Sequence, residues 1–315
     1  MPNMNKHKYS EIFTSIQGEG EYTGTPTVWL RWFLCNLQCS GFGQKVPEDP
    51  STHVLPYEEF DISNIKRIED LPVWSTGCDS SYSWAKKYRH LCPEGTAEEI
   101  ADKLEEQLVS MHDKHPTFFN EHSLQYTHFC MTGGEPMMKR TQTAQIELMN
   151  EFLRRNNVPM FITVETNGTK PINEDLQGLI DDMYISSEYG GLIDDAKSNG
   201  IEWYWSVSPK LWTTAGEVSK RAIRPDVVKG YANASDAGQL KFVVNGSQES
   251  WDEVEEHVKA FREAGVTWPV WIMGVGGTVE GLKMTEAIIA DEAIQRGYYY
   301  TSRVHAHIYG NAIGK

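Results

Sequence analysis

The chain has 315 residues, room for one large α/β domain with a substantial core. Its formal charge of −15 excludes non-specific nucleic-acid binding unless a local basic patch exists. Five cysteines, an odd number at this length, exclude a secreted disulfide framework.

No apolar run is long enough to span a bilayer, and residues 1–9 are polar with no signal-peptide core. A cytoplasmic protein with reduced thiols and no membrane partner is expected. There is no internal repeat and no low-complexity segment. In chain order, the first strong element is the stretch 28–34, nearly all apolar or aromatic. It predicts a buried strand that delivers Cys35 and Cys39 onto the loop at its end. Thiols with three residues between them can reach adjacent corners of a small cluster or a metal; otherwise they are a pair of buried structural cysteines. A region with Pro47, Pro50, Pro56 and Pro72 and no sustained period follows. Between Cys39 and Cys78 lie 38 residues, long for a loop, which marks an insertion at about 43–75 or a functional segment. Thr96 with Glu99 reads as a capping box, and Ile100, Leu104, Leu108 and Met111 mark one apolar helix face.

Alternation then sets in. A strand at about 126–131 precedes a helix at about 143–155, and a strand at 160–165 ends in Glu165-Thr166-Asn167-Gly168. Short apolar pieces lie near 183–186 and 203–208, the second ending in Ser208-Pro209-Lys210. A strand at 240–244 leads to a helix capped by Ser250 with Glu253, which turns Trp251, Val254, Val258 and Phe261 inward and stops at Gly265. A strand at 268–273 enters Gly274-Val275-Gly276-Gly277, followed by a helix to about Arg296 and a last strand near 299–306. Strand–helix alternation with polar or Gly-rich material after each strand predicts a parallel sheet with its site at the C-terminal strand ends. Roughly six such units favour an incomplete (β/α)6-type barrel over a closed eight-fold one, in a single domain spanning 1–315.

A third thiol must come from Cys78, Cys92 or Cys130. Cys130 lies inside an apolar strand and reads as a core thiol, and no motif surrounds Cys92. Cys78 sits in the small polar turn Thr76-Gly77-Cys78-Asp79-Ser80. Thr132-Gly133-Gly134-Glu135-Pro136 is a Gly-rich turn at a strand end, and Glu165, Ser208 and Lys210 put an acid, a hydroxyl and a cation at later ends. This order resembles the radical S-adenosylmethionine enzymes, which commonly space three cysteines by three and then two residues. Here the second place is Phe42. The resemblance therefore implies that an insertion has displaced the last ligand to Cys78. A 4Fe–4S cluster on three thiolates keeps one iron open for S-adenosylmethionine, whose cleavage gives a 5′-deoxyadenosyl radical. A zinc site is the runner-up.

The N-terminal run Glu11-Ile12-Phe13-Thr14-Ser15-Ile16-Gln17-Gly18-Glu19-Gly20, followed by Gly24-Thr25-Pro26 and Arg31, is similar to the 7-carboxy-7-deazaguanine synthases (the QueE family). So are Cys78-Asp79-Ser80, Thr132 to Met137, Glu165 to Gly168, Val207 to Lys210 and His307-Ile308-Tyr309-Gly310-Asn311. The exceptions are the insertion and extra length between Glu188 and Glu202. The resemblance implies conversion of 6-carboxy-5,6,7,8-tetrahydropterin to 7-carboxy-7-deazaguanine with loss of ammonia, assisted by Mg2+. It implies that Cys35, Cys39 and Cys78 hold the cluster. Gly77, Asp79, Gly133, Gly134, Glu135, Glu165, Ser208, Lys210 and Met273 would then serve the nucleoside cofactor. Ile16, Gln17, Gly18, Glu19, Arg31, Thr132 and His307 would hold the pterin, with His305 competing for the last role, and Ser80 would take the family threonine's place on Mg2+. Met273-Gly274 departs from the polar residue and proline expected there, and Lys315 ends the chain later than in relatives. A homodimer and an electron donor such as flavodoxin are implied, with no direct nucleic-acid contact. The rivals are an activating enzyme that abstracts hydrogen from a partner's glycine, and a non-catalytic iron–sulfur or zinc module.

Overall fold

The computed structural model describes residues 5–110, 114–185 and 200–315. The chain opens with β1 (His7–Ile16) and β2 (Pro26–Trp32), then α1 (Pro56–Glu59), β3 (Glu94–Gly95) and α2 (Ala97–Leu108). A small ribbon, β4 (Phe119–Asn120) with β5 (Gln125–Tyr126), precedes β6 (His128–Gly133), α3 (Lys139–Arg155), β7 (Phe161–Thr166) and α4 (Glu174–Ile185). Next come β8 (Glu202–Val207), α5 (Trp212–Ala215), α6 (Ser219–Ala222), α7 (Pro225–Ala234), β9 (Gly238–Val244) and α8 (Gln248–Glu263). The last elements are β10 (Val270–Gly274), α9 (Val279–Gln295), β11 (Tyr299–Tyr300) and α10 (Val304–Tyr309).

Nine strands make one sheet in the order β11-β10-β9-β8-β7-β6-β2-β1-β3. From β2 to β11 every pairing is parallel, whereas β1 runs antiparallel to β2 and β3 antiparallel to β1. Side chains alternate faces along a strand, and this period of two sorts the chain into core and site. Val28, Leu30 and Trp32 of β2, Phe129 and Met131 of β6, Ile162 and Val164 of β7, and Trp203, Trp205 and Val207 of β8 point to the helices. Leu240, Phe242 and Val244 of β9 and Val270 and Ile272 of β10 do the same. Each fully buried residue of this type contributes on the order of 1.5–3 kcal/mol. Their neighbours Trp29, Arg31, Thr132, Glu165, Ser206, Lys241 and Met273 face a single cavity at the C-terminal ends of the parallel strands. On the helix side, Phe152 of α3 meets Phe118 and Phe129 edge-on, with ring centroids 5.3 and 5.8 Å apart.

The capping box at Thr96 is present, with Glu99 N donating to Thr96 Oγ1 and Thr96 N to Glu99. The mostly parallel sheet is as expected, with seven parallel strands among the described residues, the last being the two residues of β11 on β10. Other expectations are corrected. The antiparallel β1 went unread, since its alternation is broken by polar residues that face the cavity. The apolar piece near 183–186 is not a strand where it is described: Met183 packs from the last turn of α4, and Ser186, like Met111 and most of the extra length before Glu202, lies outside the described residues. The cap of α8 is Ser247, not Ser250, and Glu253 instead accepts from Trp212 N and Thr213 N. The last strand ends at Tyr300, after which Val304 N donates to the Gly18 carbonyl and the chain coils into α10.

The segment between Cys39 and Cys78 packs into a second small core. Tyr57, Ile68, Leu71 and Trp74 pack with Phe33, Tyr82, Tyr88 and Cys92. Its two ends are pinned together by Gly77 N donating to the Phe42 carbonyl at 2.7 Å.

Candidate functional site

The cysteine loop is shaped by backbone contact with the Gly-rich turn. Gly134 N donates to the Trp32 carbonyl at 3.2 Å and Glu135 N to the Leu34 carbonyl at 2.8 Å. A Cβ at Gly134 would lie 2.2 Å from that Leu34 oxygen, and Gly133 sits at φ 134°, so both positions exclude a side chain. Leu34 (φ 99°) and Cys39 (φ 50°) take left-handed conformations in the same loop. Glu217, at the far side, accepts from both Gln38 N and Cys39 N at 2.7 and 2.8 Å.

Because Phe42 is pinned to Gly77, Cys78 arrives beside Cys39 although 38 residues lie between them. Cys35, Cys39 and Cys78 line the same cavity, while Cys92 and Cys130 are buried elsewhere. Burial pushes the thiols up, Cys35 to about 12 with Glu135 adding to it, and Cys78 to about 11 with Asp79 adding to it. Cationic metal would reverse that preference and draw off the protons. Three donors point at these sulfurs: Leu37 N at 3.4 Å and Asn167 Nδ2 at 3.9 Å from Cys35, and Trp84 Nε1 at 3.4 Å from Cys78. Among the described residues no three His, Cys, Asp or Glu side chains converge as one metal ion requires. A zinc ion would gather its sulfurs at ~2.3 Å each. A 4Fe–4S cluster takes each thiolate on a separate iron, so three thiols on one cavity wall need not converge on a single point.

The cavity, about 270 Å³ in all, also carries polar and charged side chains. Arg31 donates from Nε to Glu11 at 2.6 Å and from Nη1 to Ser80 Oγ at 3.2 Å. Tyr82 OH donates to the same Glu11 oxygen at 2.8 Å, and the other oxygen, Oε2, is buried with no partner among the described residues. Thr132 Oγ1 donates to Glu165 at 3.0 Å and Gln17 Nε2 approaches it at 3.5 Å. Lys210 Nζ donates to Ser208 Oγ at 2.9 Å. Glu19 is gripped by Lys241 and by Arg303 Nε at 3.1 Å, and Arg303 Nη2 reaches Asp79 at 2.6 Å. Burial opposes the charge on Glu19, but Lys241 and Arg303 outweigh it and hold the carboxyl well below its ordinary range.

The cavity is lined by Cys35, Cys39, Gly77, Cys78, Asp79, Ser80, Gly133, Gly134, Glu165, Ser208, Lys210 and Met273. Ile16, Gln17, Glu19, Arg31 and Thr132 also line it. Three expected residues stand apart. Glu135 is fully buried outside the cavity, where it accepts from Thr166 Oγ1, Asn167 N and Met137 N at 2.6, 2.8 and 2.8 Å. Gly18 supports rather than lines, since a Cβ there would strike the His305 ring. His307 turns away to Glu286, 3.0 Å from both oxygens, and His305 lines the cavity instead. A strand would have put both histidines on one face, but residues two apart on a helix differ by about 200°. Sequence reasoning missed Glu11, Tyr82, Asn167, Glu217, Lys241 and Arg303. Lys241 had a signal, a lone cation inside the apolar strand Leu240 to Val244, while Glu217 and Arg303 had none.

No protein-family model matches the chain. A 7-carboxy-7-deazaguanine synthase of Rhodopirellula baltica is 28% identical over 306 residues, 97% of this chain and 87% of that protein. Synthases of the same name from Halobacterium salinarum and Pyrobaculum aerophilum are each 24% identical, over 96% and 97% of this chain and 90% and 96% of theirs. Along nearly its whole length this chain resembles the 7-carboxy-7-deazaguanine synthases. The crystal structure of QueE from Escherichia coli superposes with a TM-score of 0.50 at 15% identity, covering 95% of both chains. At that identity the likeness speaks for the fold, a mostly parallel α/β sheet of the kind expected.

The Glu19 ion pairs generate a pH prediction. A carboxyl depressed by folding adds stability above its unfolded pKa, about 4.3, and loses it as pH falls further. Glu19→Gln should cost about 3–5 kcal/mol at pH 7 by leaving buried cations unpaired. In urea titrations the gap from the parent should narrow below about pH 4.3; a gap independent of pH would show that Glu19 is not the charged partner.

Proposed function

We propose that this protein is a radical S-adenosylmethionine enzyme that converts 6-carboxy-5,6,7,8-tetrahydropterin to 7-carboxy-7-deazaguanine with loss of ammonia. The observation that carries the reading is the convergence of Cys35, Cys39 and Cys78 from two distant loops on the cavity that also holds Gln17, Arg31 and Thr132. When bound, the 4Fe–4S cluster and S-adenosylmethionine supply the radical chemistry. The chain's own residues position and enclose. Cys35, Cys39 and Cys78 are the cluster ligands in this reading, with Asn167 and Trp84 donating to their sulfurs. Glu165, Ser208 and Lys210, at adjacent strand ends, offer an acceptor, a hydroxyl and a cation to a nucleoside carrying amino and carboxylate groups. Gly133 and Gly134 present their backbone to it, and Gly77, Asp79 and Met273 complete that wall.

The pterin side is the wall of Ile16, Gln17, Glu19, Arg31 and Thr132. Arg31 is the partner for the substrate carboxylate. Glu11 Oε2, buried and unpartnered, is an acceptor for a ring or exocyclic N–H, because a bound donor would relieve the cost of that orphaned oxygen. His305 takes the role first expected of His307. The insertion, at about 43–75 of a single domain, and residues 311–315 wall the cavity, which suits a small substrate better than a polypeptide loop. Mg2+ wants oxygen ligands, and Ser80 Oγ with the adjacent Asp79 carboxylate provides them at 3.1 Å from one another. No helix among the described residues is long and apolar enough to cross a membrane. We assign the protein to the cytoplasm, with a flavodoxin-type donor and a homodimer whose interface is the exposed face of α9 at Met284, Ile288 and Ile294.

Alanine at Cys35, Cys39 or Cys78 should remove iron and 5′-deoxyadenosine formation after anaerobic reconstitution, and alanine at Cys92 or Cys130 should not. Full iron content in Cys78→Ala would sink the cluster assignment. Ser80→Ala should keep its iron while losing the rise of product with Mg2+, and Ser80→Thr should retain it; an unchanged Mg2+ response in the alanine variant would reduce Ser80 to a turn residue. Sedimentation at micromolar concentration should give a dimer mass, and reduced flavodoxin should reduce the loaded enzyme. A monomer, or a cluster left oxidised, removes the corresponding proposal.

A further inference from the structure

The insertion packs against the side chain that donates to Cys78. Trp84 follows the 3-10 turn Ser81–Ser83, a little beyond Cys78, with Ser83 N donating to Ser80 O at 2.8 Å and Trp84 N to Ser81 O at 3.1 Å. This tight turn brings the indole back so that Nε1 lies 3.4 Å from Cys78 Sγ. The ring's orientation is set from the insertion. Tyr57 of α1 meets it edge-on, with centroids 5.7 Å apart and planes at 73°. Tyr57 is itself 1% exposed, its carbonyl accepts from Tyr88 OH, and its ring also presses on Gly77, where a Cβ would approach it to 3.0 Å. Behind it, Phe60, Trp74 and Tyr88 extend the aromatic packing.

We infer that the insertion holds the Trp84 indole as a hydrogen-bond donor to the Cys78 thiolate, and so raises the reduction potential of the cluster bound there. This rests on the cluster reading above. Adding an electron to the cluster increases negative charge on its sulfurs, so a fixed N–H dipole aimed at one of them stabilises the reduced form more than the oxidised form. The effect is amplified where water is excluded, and the ring stack keeps the donor from rotating away. The Cys35 sulfur receives its donors from its own loop and from Asn167. Trp84 is the donor whose aim depends on inserted sequence. It is a positioning residue, acting on the cluster through Cys78.

The test is a potentiometric titration of the reconstituted enzyme, read by the electron paramagnetic resonance signal of the reduced cluster. Trp84→Phe should keep its iron and shift the midpoint downward, leaving a ratio of reduced to oxidised cluster three- to tenfold lower at the parent's midpoint; tenfold is ~59 mV for a one-electron couple. Trp84→His, which can still donate, should fall less. Tyr57→Leu leaves both Trp84 and Cys78 in place but frees the ring, and should shift the midpoint the same way by a smaller amount. An unchanged midpoint in iron-loaded Trp84→Phe overturns the inference; if that variant holds no iron, an unchanged midpoint in Tyr57→Leu does so. Either outcome leaves the three-cysteine assignment standing, since that assignment fails on iron content in Cys78→Ala.

Discussion

Two backbone hydrogen bonds, from Gly134 to the Trp32 carbonyl and from Glu135 to the Leu34 carbonyl, hold the end of β2 against the turn after β6. Everything at the site follows from how close that contact is. It is possible only because Gly133 and Gly134 present no Cβ, and it turns Cys35 toward the cavity. Glu135 then acts behind the contact rather than in front of it. Its two oxygens take three hydrogen bonds from the turns after β6 and β7, so the side chain ties adjacent strand ends together. Burial raises its pKa, and the donors from Thr166, Asn167 and Met137 restrain that rise.

Several of the cavity's charges are matched. Glu11 pairs with Arg31 between β1 and β2, and Glu19 pairs with Lys241 of β9 and with Arg303, which also holds Asp79. Buried pairs of this sort add little net stability over apolar packing. They fix geometry instead, because each charge penalises any arrangement that strands its partner. A small polar substrate meets groups that are already oriented, which lowers the ordering cost of binding. The orphaned oxygen of Glu11 is the exception, and the place where a ligand has most to add.

The segment between Cys39 and Cys78 builds a second, aromatic-rich core fastened to the sheet at both ends. Pinning Phe42 to Gly77 makes its length irrelevant to the spacing of the thiols, since loop-closure cost grows only slowly with length. A chain can therefore separate its second and third cysteines widely and still deliver them to one cavity.

The sequence by itself determined the alternating architecture, the parallel sheet and its C-terminal site, because apolar periodicity and Gly-rich strand ends are local properties. It also determined the cysteine loop, the Gly-Gly turn and the cavity-lining residues that stand in short contiguous motifs. Only the tertiary structure decided which residues meet across the chain. Arg303, Glu217 and Lys241 reach their partners over long sequence separations, which no local pattern records. That His305 rather than His307 lines the cavity turned on whether one short segment coils or extends. That choice was made by the Gly18 carbonyl accepting from Val304, a contact between the two ends of the chain. Cys78 was legible as a candidate, but its place beside Cys39 became physical only when the Gly77–Phe42 hydrogen bond closed the long segment between them.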